Sequence, residues 1–164
     1  MSGFTLIESV IVVGIIGVLA VAFYPSVKNA IEIRGFDNAA SDVLTSIQMA
    51  KWQAVTSKYH HRVRFVQDAA GWTYRVEMEK PFGTWTLKQG QSVKRVPREF
   101  SFVPLLPTGY TVEFNPTGFV SNFDSTKNTM TLSSTRIALL GEPNVRLIRF
   151  YTSGSIKMTK ITSS

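Results

Sequence analysis

From Phe4 to Tyr24 the chain offers one side chain that is charged at neutral pH, Glu8, in a run otherwise made of Val, Ile, Leu, Ala, Phe, Tyr24 and small residues. At a helical rise of about 1.5 Å per residue the run covers roughly 31 Å, close to the hydrocarbon thickness of a bilayer. A helix is the only form in which one such segment satisfies its own backbone in lipid. Thr5, Ser9, Gly14 and Gly17 interrupt it, and small residues of this kind are accepted in membrane helices. The anomaly is Glu8, because an ionised carboxylate deep in lipid costs about 3 kcal/mol or more unless it finds a partner.

Three ordinary accounts of the run compete. A secretory signal peptide fits Ala20-Val21-Ala22 as a cleavage site, but no Lys or Arg precedes the run and the run is too long. A plain signal anchor explains the length and leaves Glu8 unexplained. A buried core helix needs a domain wrapped around every face, and the rest of the chain is neither large nor apolar enough to supply one.

Gly3-Phe4-Thr5-Leu6-Ile7-Glu8, followed by an unbroken apolar stretch and then Pro25, resembles the N-terminus of type IV prepilins and type II secretion pseudopilins. The resemblance implies that a prepilin peptidase cuts after Gly3 and methylates the new N-terminus, Phe4. It implies that Glu8 is the assembly residue, pairing inside a filament with the Phe4 amine of a neighbouring subunit. Such pairing would relieve a carboxylate that is penalised alone. The implied partners are other pilin or pseudopilin subunits, the prepilin peptidase, an inner-membrane assembly platform and, before assembly, the lipid bilayer. Two positions depart from the family pattern: the leader Met1-Ser2-Gly3 has no basic residue, and Ser9 stands where a large apolar residue is common.

With 164 residues and 44% hydrophobic content, the chain has room for the membrane helix and one compact domain. Cysteine is absent, so that domain must hold by core packing and sheet pairing alone. A net charge of +7 favours anionic surroundings such as headgroups, nucleic acid or acidic proteins.

Pro25 is expected to bend the helix without ending it, since no further proline occurs until Pro81 and Gly35 is the only weak point. Phe36, Ala39, Ala40, Val43, Ile47, Ala50 and Ala54 recur at helical spacing, flanked by Leu44 and Trp52, and predict one apolar stripe packed on the chain's own sheet. After Lys58 the period changes to two. Arg62 to Val66 and Trp72 to Met78 read as a hairpin around Asp68-Ala69-Ala70-Gly71. Further strands are expected at Thr84 to Lys88, Ser92 to Val96, Tyr110 to Phe114, Thr129 to Ser133, Val145 to Tyr151 and Ser155 to Ile161, with prolines and glycines marking loops between them. The expected division is a leader at 1–3, a transmembrane and assembly half-helix at 4–25, an amphipathic half-helix at 26–58 and a β-rich head at 59–164. The class is α+β, a long N-terminal helix packed against antiparallel sheet.

A narrower resemblance lies in the head. The helix end Gln48-Met49-Ala50-Lys51-Trp52-Gln53-Ala54-Val55, the central Val112-Glu113-Phe114-Asn115-Pro116-Thr117-Gly118, and a closing strand, Gly turn and strand are similar to the GspH/FimT type of minor pilins and pseudopilins. The resemblance implies a minor subunit at or near a filament tip that helps start assembly; some members bind DNA. Arg146, Arg149, Lys157 and Lys160, with Tyr151 nearby, are the candidate nucleic-acid contacts. The DNA-binding members carry Gly-Arg-x-Arg in the last turn, whereas this chain has Gly154-Ser155-Ile156-Lys157, so nucleic acid is not the favoured partner and a solvated basic face is the plainer reading.

Little points to an enzyme. Thiol chemistry is excluded by composition, and Gly14-Ile15-Ile16-Gly17 lies in the membrane run with the wrong spacing for a phosphate loop. His60 and His61 are adjacent, which on a strand sends them to opposite faces, and they read as a surface pair instead of metal ligands. Glu77 and Glu79 read as ordinary surface charge. The sequence therefore implies no cofactor, no metal and no catalytic residue. The resemblance implies a structural subunit of a type II secretion pseudopilus or type IV pilus, single-pass in the bacterial inner membrane with its C-terminal domain outside the cytoplasm, and later part of a filament. The alternatives are a DNA-binding minor pilin for uptake and a plain signal-anchored exported domain.

Overall fold

The computed structural model describes residues 5–81, 83–87, 90–107 and 109–163. Helix α1 spans Leu6–Ser57, and the chain divides within it into two units, Met1–Gly35 and Phe36–Ser164. In the first unit every side chain from Thr5 to Tyr24 is exposed, so the helix is apolar all round with nothing of its own to bury it. By length and composition it can cross a membrane. Pro25 lies inside the helix, which runs through it although the ring removes one backbone donor.

In the second unit every member of the Phe36-to-Ala54 stripe is buried. Burial begins at Phe36; the expected amphipathic half started ten residues earlier, but residues 26–35 bury nothing fully. Trp52, expected to flank the stripe, is 65% exposed. The helix ends at Lys58, which takes a left-handed φ of 61° while its N–H donates to the Ala54 carbonyl at 3.1 Å, a cap that usually falls to glycine.

The stripe packs on two antiparallel sheets. The first contains β1 (His61–Asp68), β2 (Gly71–Lys80), β3 (Thr84–Leu87), the two-residue β4 (Lys94–Arg95) and β6 (Thr111–Phe114), in the order β3-β2-β1-β6 with β4 also on β2. The second contains β5 (Ser101–Leu105), β7 (Thr129–Ser133), β8 (Val145–Phe150) and β9 (Ile156–Ile161), in the order β5-β7-β8-β9. Phe65, Val112 and Phe114 from the first sheet and Met130, Leu132 and Ile148 from the second join Phe36, Val43 and Ile47 in one core. Burying each such side chain contributes about 1.5–3 kcal/mol, which supplies the cohesion that no disulfide provides.

Three elements differ from the sequence expectation: β4, β5 and a short helix after β7. The expected strand at Ser92 to Val96 shrinks to Lys94–Arg95, and β5 appears where Pro104 marked a loop. Proline removes only one ladder donor, and β5 lies at the edge of its sheet, where that donor has no partner strand to miss. A short helix α2, Thr135–Ala138, follows β7 and is capped by the Ser134 hydroxyl, which accepts from Ile137 N–H.

Candidate assembly segment and head surfaces

Gly3 and Phe4, the expected cleavage and methylation positions, lie outside the described residues. Glu8 does not. Its Oε2 accepts from the Thr5 N–H at 3.2 Å and from the Thr5 hydroxyl at 3.1 Å, while Thr5 Oγ1 accepts from the Glu8 N–H at 3.3 Å. This is a reciprocal capping box, with Thr5 as N-cap and Glu8 three residues on. The spacing Thr-x-x-Glu before an apolar run carried that signal in the sequence. The box holds the carboxylate at the amino end of the helix, where the helix dipole also favours an anion.

The four cations proposed for nucleic acid do not form one surface. Arg146 and Arg149 are three residues apart on β8, and an odd separation puts them on opposite faces. Arg146 turns inward and is 2% exposed: Nε meets Asp37 Oδ1 at 2.7 Å, Nη1 donates to the carbonyls of Pro143 and Val145 at 2.6 and 3.2 Å, and the guanidinium lies 4.7 Å from the centre of the Phe36 ring. Lys160 completes the cluster, its Nζ 2.9 Å from Asp37 Oδ2. Through Asp37 these two cations tie β8 and β9 to the helix, Arg146 buried and Lys160 half exposed. Arg149 and Lys157 remain exposed and face each other across the β8–β9 ladder.

On the outward face of the first sheet, Glu77 is 3% exposed, correcting its reading as surface charge. Arg62 Nε and Arg75 Nε each reach one of its carboxylate oxygens at 2.7 Å, Arg62 also lies 3.6 Å from Glu113, and its guanidinium stacks 4.1 Å over Trp85. Burial pushes the Glu77 carboxyl up, but the hydrogen bonds from Arg62 and Arg75 outweigh it and hold the group below its ordinary range. The same balance, burial against Lys160 and Arg146, lowers Asp37. A depressed folded-state carboxyl contributes stability that is complete above its unfolded value, near 4, and is lost as pH falls through the folded value. The head should therefore keep its stability down to about pH 4 and lose it progressively below. Urea midpoints across an acid series check this, and Glu77→Gln should flatten the decline.

His61 is fully buried, against the expectation of a surface pair, with Nδ1 donating to the Tyr59 carbonyl at 3.0 Å. It shares strand parity with Val63 and Phe65, which fixes its inward direction. Among the described residues no group of His, Asp and Glu comes together to hold a metal ion.

Three of the sequence motifs converge at one place. In Asn115-Pro116-Thr117-Gly118 the Asn115 Oδ1 accepts from Thr117 N–H and Oγ1 and from Phe119 N–H, folding a tight loop whose Gly118 has φ 85°. Its carbonyl lies against Gly154, φ 70°, in the closing turn, and Lys51 of α1 donates from Nζ to the Gly154 carbonyl at 2.9 Å. Loop and turn thus meet by backbone contact that only glycine permits, and the Lys51 side chain ties the helix to the turn.

The sheets, the helix and their order define the fold of pilin-like filament subunits. No family model matches the chain, and no curated protein matches it in sequence. Among solved structures it is similar to the minor pseudopilin EpsH of the type 2 secretion system of Vibrio cholerae, with a TM-score of 0.55 and 12% identity over 76% of this chain and 95% of that one. It is also similar to the type IV minor pilin FimU of Pseudomonas aeruginosa, with a TM-score of 0.54 and 11% identity over 78% of this chain and 90% of that one. A second crystal form of FimU gives a TM-score of 0.51 at 11% identity, over 75% and 91% of the two chains. The likeness is one of fold: long N-terminal helix, antiparallel sheets, and the architecture shared by minor pilins and pseudopilins.

Proposed function

We propose that the chain is a minor subunit of a type II secretion pseudopilus or type IV pilus, cut after Gly3, methylated at Phe4, held in the inner membrane with residues 59–164 outside the cytoplasm, and then built into a filament through Phe4 to Tyr24. The observation that carries this is the lone carboxylate in an all-round apolar helix, fixed by its capping box at the helix start, on a chain with a pilin-like fold. Leaving lipid for a shared helical core costs little when both surroundings are apolar. A charge pair between Glu8 and a neighbour's Phe4 amine then sets the vertical register of the helices. Processing, partners and orientation follow from this reading.

Glu8→Ala should leave the head folded and cut incorporation into filaments by roughly tenfold or more, the loss expected of one buried ion pair. Recovery of the subunit in sheared filament fractions measures it, and undiminished recovery would remove the register role. Gly3→Leu should block processing, seen by mass spectrometry as a full-length chain without a methylated Phe4.

A further inference from the structure

Within the first unit the helix carries a second pattern just past the membrane-length run. Beyond Tyr24 it continues as Pro25-Ser26-Val27-Lys28-Asn29-Ala30-Ile31-Glu32-Ile33-Arg34. Phe23, Val27 and Ile31 stand four residues apart, and Tyr24, Val27, Ile31 and Arg34 follow at spacings of three, four and three, so these five share one face. Lys28, four after Tyr24 and three before Ile31, borders Val27 and Ile31 on one side, and Arg34 borders them on the other. All six side chains are exposed, Val27 by 56% and Ile31 by 63%. Glu32, the one acid of the stretch, lies beyond Lys28 on the side away from Val27. No ion pair reaches Lys28 or Arg34 among the described residues.

We propose that, before assembly, this face lies on the anionic headgroup layer of the bilayer, with Val27 and Ile31 at the edge of the acyl chains and Lys28 and Arg34 against lipid phosphates. Lengths carry the first step. At a rise of about 1.5 Å per residue Ile31 stands about 10 Å and Arg34 about 15 Å past Tyr24, whereas the headgroups add only about 5–8 Å on each side of the hydrocarbon. A helix held along the bilayer normal would therefore carry the bare Val27 and Ile31 out into water. Leaning over at Pro25, where the helix lacks one backbone donor, brings them down onto the interface. Charge carries the second step. The stems of Lys28 and Arg34 cover apolar surface while their charged ends reach the phosphates, and an apolar row flanked by cations is the pattern of helices that lie in an interface. Tyr24 then sits at the boundary, the level at which tyrosine anchors membrane helices. A second copy of this helix is the poorer occupant, because it would bring the same two cations against these. The proposal rests on the reading of residues 4–24 as a membrane span.

The test uses the full-length chain reconstituted in vesicles. The sequence has no cysteine, so Ile31→Cys takes a single polarity-sensitive fluorophore, and Thr45→Cys, exposed on the helix of the second unit, serves as reference. In phosphatidylcholine vesicles containing phosphatidylglycerol, the label at 31 should emit to the blue of its position in water and the label at 45 should not. Lys28→Gln with Arg34→Gln should lower the ratio of buried to water-exposed label at 31 by roughly thirtyfold, about fivefold for each cation. Pure phosphatidylcholine, or screening by about 1 M salt, should move the emission back in the same way. The proposal is overturned if the label at 31 stays in water while the chain spans the vesicles, if its shift is the same without phosphatidylglycerol or without the two cations, or if the label at 45 shifts with it. It is also overturned if the shift grows with the number of chains per vesicle, which would make a neighbouring helix the occupant. A chain that alkali strips from the vesicles does not span them, and that result would sink the reading of residues 4–24, and this proposal with it.

Discussion

Arg146→Ala should destabilise the head by about 3–5 kcal/mol, the cost of breaking a buried ion pair from one side. The side chain is 2% exposed, so its removal strips the Asp37 carboxylate of its buried partner and leaves it only Lys160, which is itself half in solvent. It also takes the donor from the Pro143 and Val145 carbonyls and the cation from the Phe36 ring. Asp37→Ala should cost a similar amount from the other side, because it leaves a guanidinium buried with carbonyls alone. The double variant should cost less than the sum of the two, by about 1–3 kcal/mol, since the second substitution removes a charge already stranded by the first. Arg149→Ala, on the same strand but facing outward, should stay within about 0.5 kcal/mol of the parent. Urea unfolding followed by tryptophan fluorescence reads all four. Equal shifts for Arg146→Ala and Arg149→Ala would mean that the Asp37 cluster does not hold the sheet to the helix.

What the sequence made legible was what depends on spacing along one element. The stripe from Phe36 to Ala54 repeats at the helical period and is buried throughout, and β7 falls at Thr129–Ser133 as the alternation predicts. Strand parity carries further information. His61 goes inward with Val63 and Phe65, and Arg146 goes inward with Ile148 and Phe150, whereas Arg149 goes out with Leu147. The hidden features join residues remote in sequence. Asp37 meets Arg146 across 109 positions, and Lys51 meets Gly154 across 103. Glu77 is buried by Arg62 from the neighbouring strand as much as by Arg75 from its own, so no inspection of β2 alone marks it as anything but surface charge. Pro104 misled for the opposite reason: its local effect is strong, but an edge strand tolerates it. At the candidate assembly site the carboxylate was conspicuous by polarity, and its Thr5 partner was visible as a capping spacing that polarity alone does not reveal.

Gly154→Ala should cost about 2–4 kcal/mol, the sum of a left-handed backbone penalty near 1 kcal/mol and an overpacking cost of about 1–3 kcal/mol. At φ 70° the glycine sits where a side chain strains the backbone, and a Cβ there would collide with the Gly118 carbonyl oxygen and come within 3.1 Å of Lys51 Cε. A lysine end can move; a loop carbonyl held by the Asn115 turn cannot move cheaply, because Gly118 N–H donates to the Asn115 carbonyl at 2.9 Å and Asn115 Oδ1 ties the residues on both sides. The displacement would also pull the Gly154 carbonyl from Lys51 Nζ, loosening the entry to β9 and with it the strand that bears Lys157 and Lys160. Gly141 separates the two causes. It has φ 75° but open space for 4 Å around the point where a Cβ would stand, so Gly141→Ala should show the backbone penalty alone, about 1 kcal/mol. Gly118→Ala, φ 85° and 3.1 Å from Val55 Cγ2, should fall between them, since the valine can turn away. Thermal unfolding of the three variants ranks them, and a Gly154→Ala midpoint no lower than that of Gly141→Ala would show that the closing turn and the Asn115 loop do not touch.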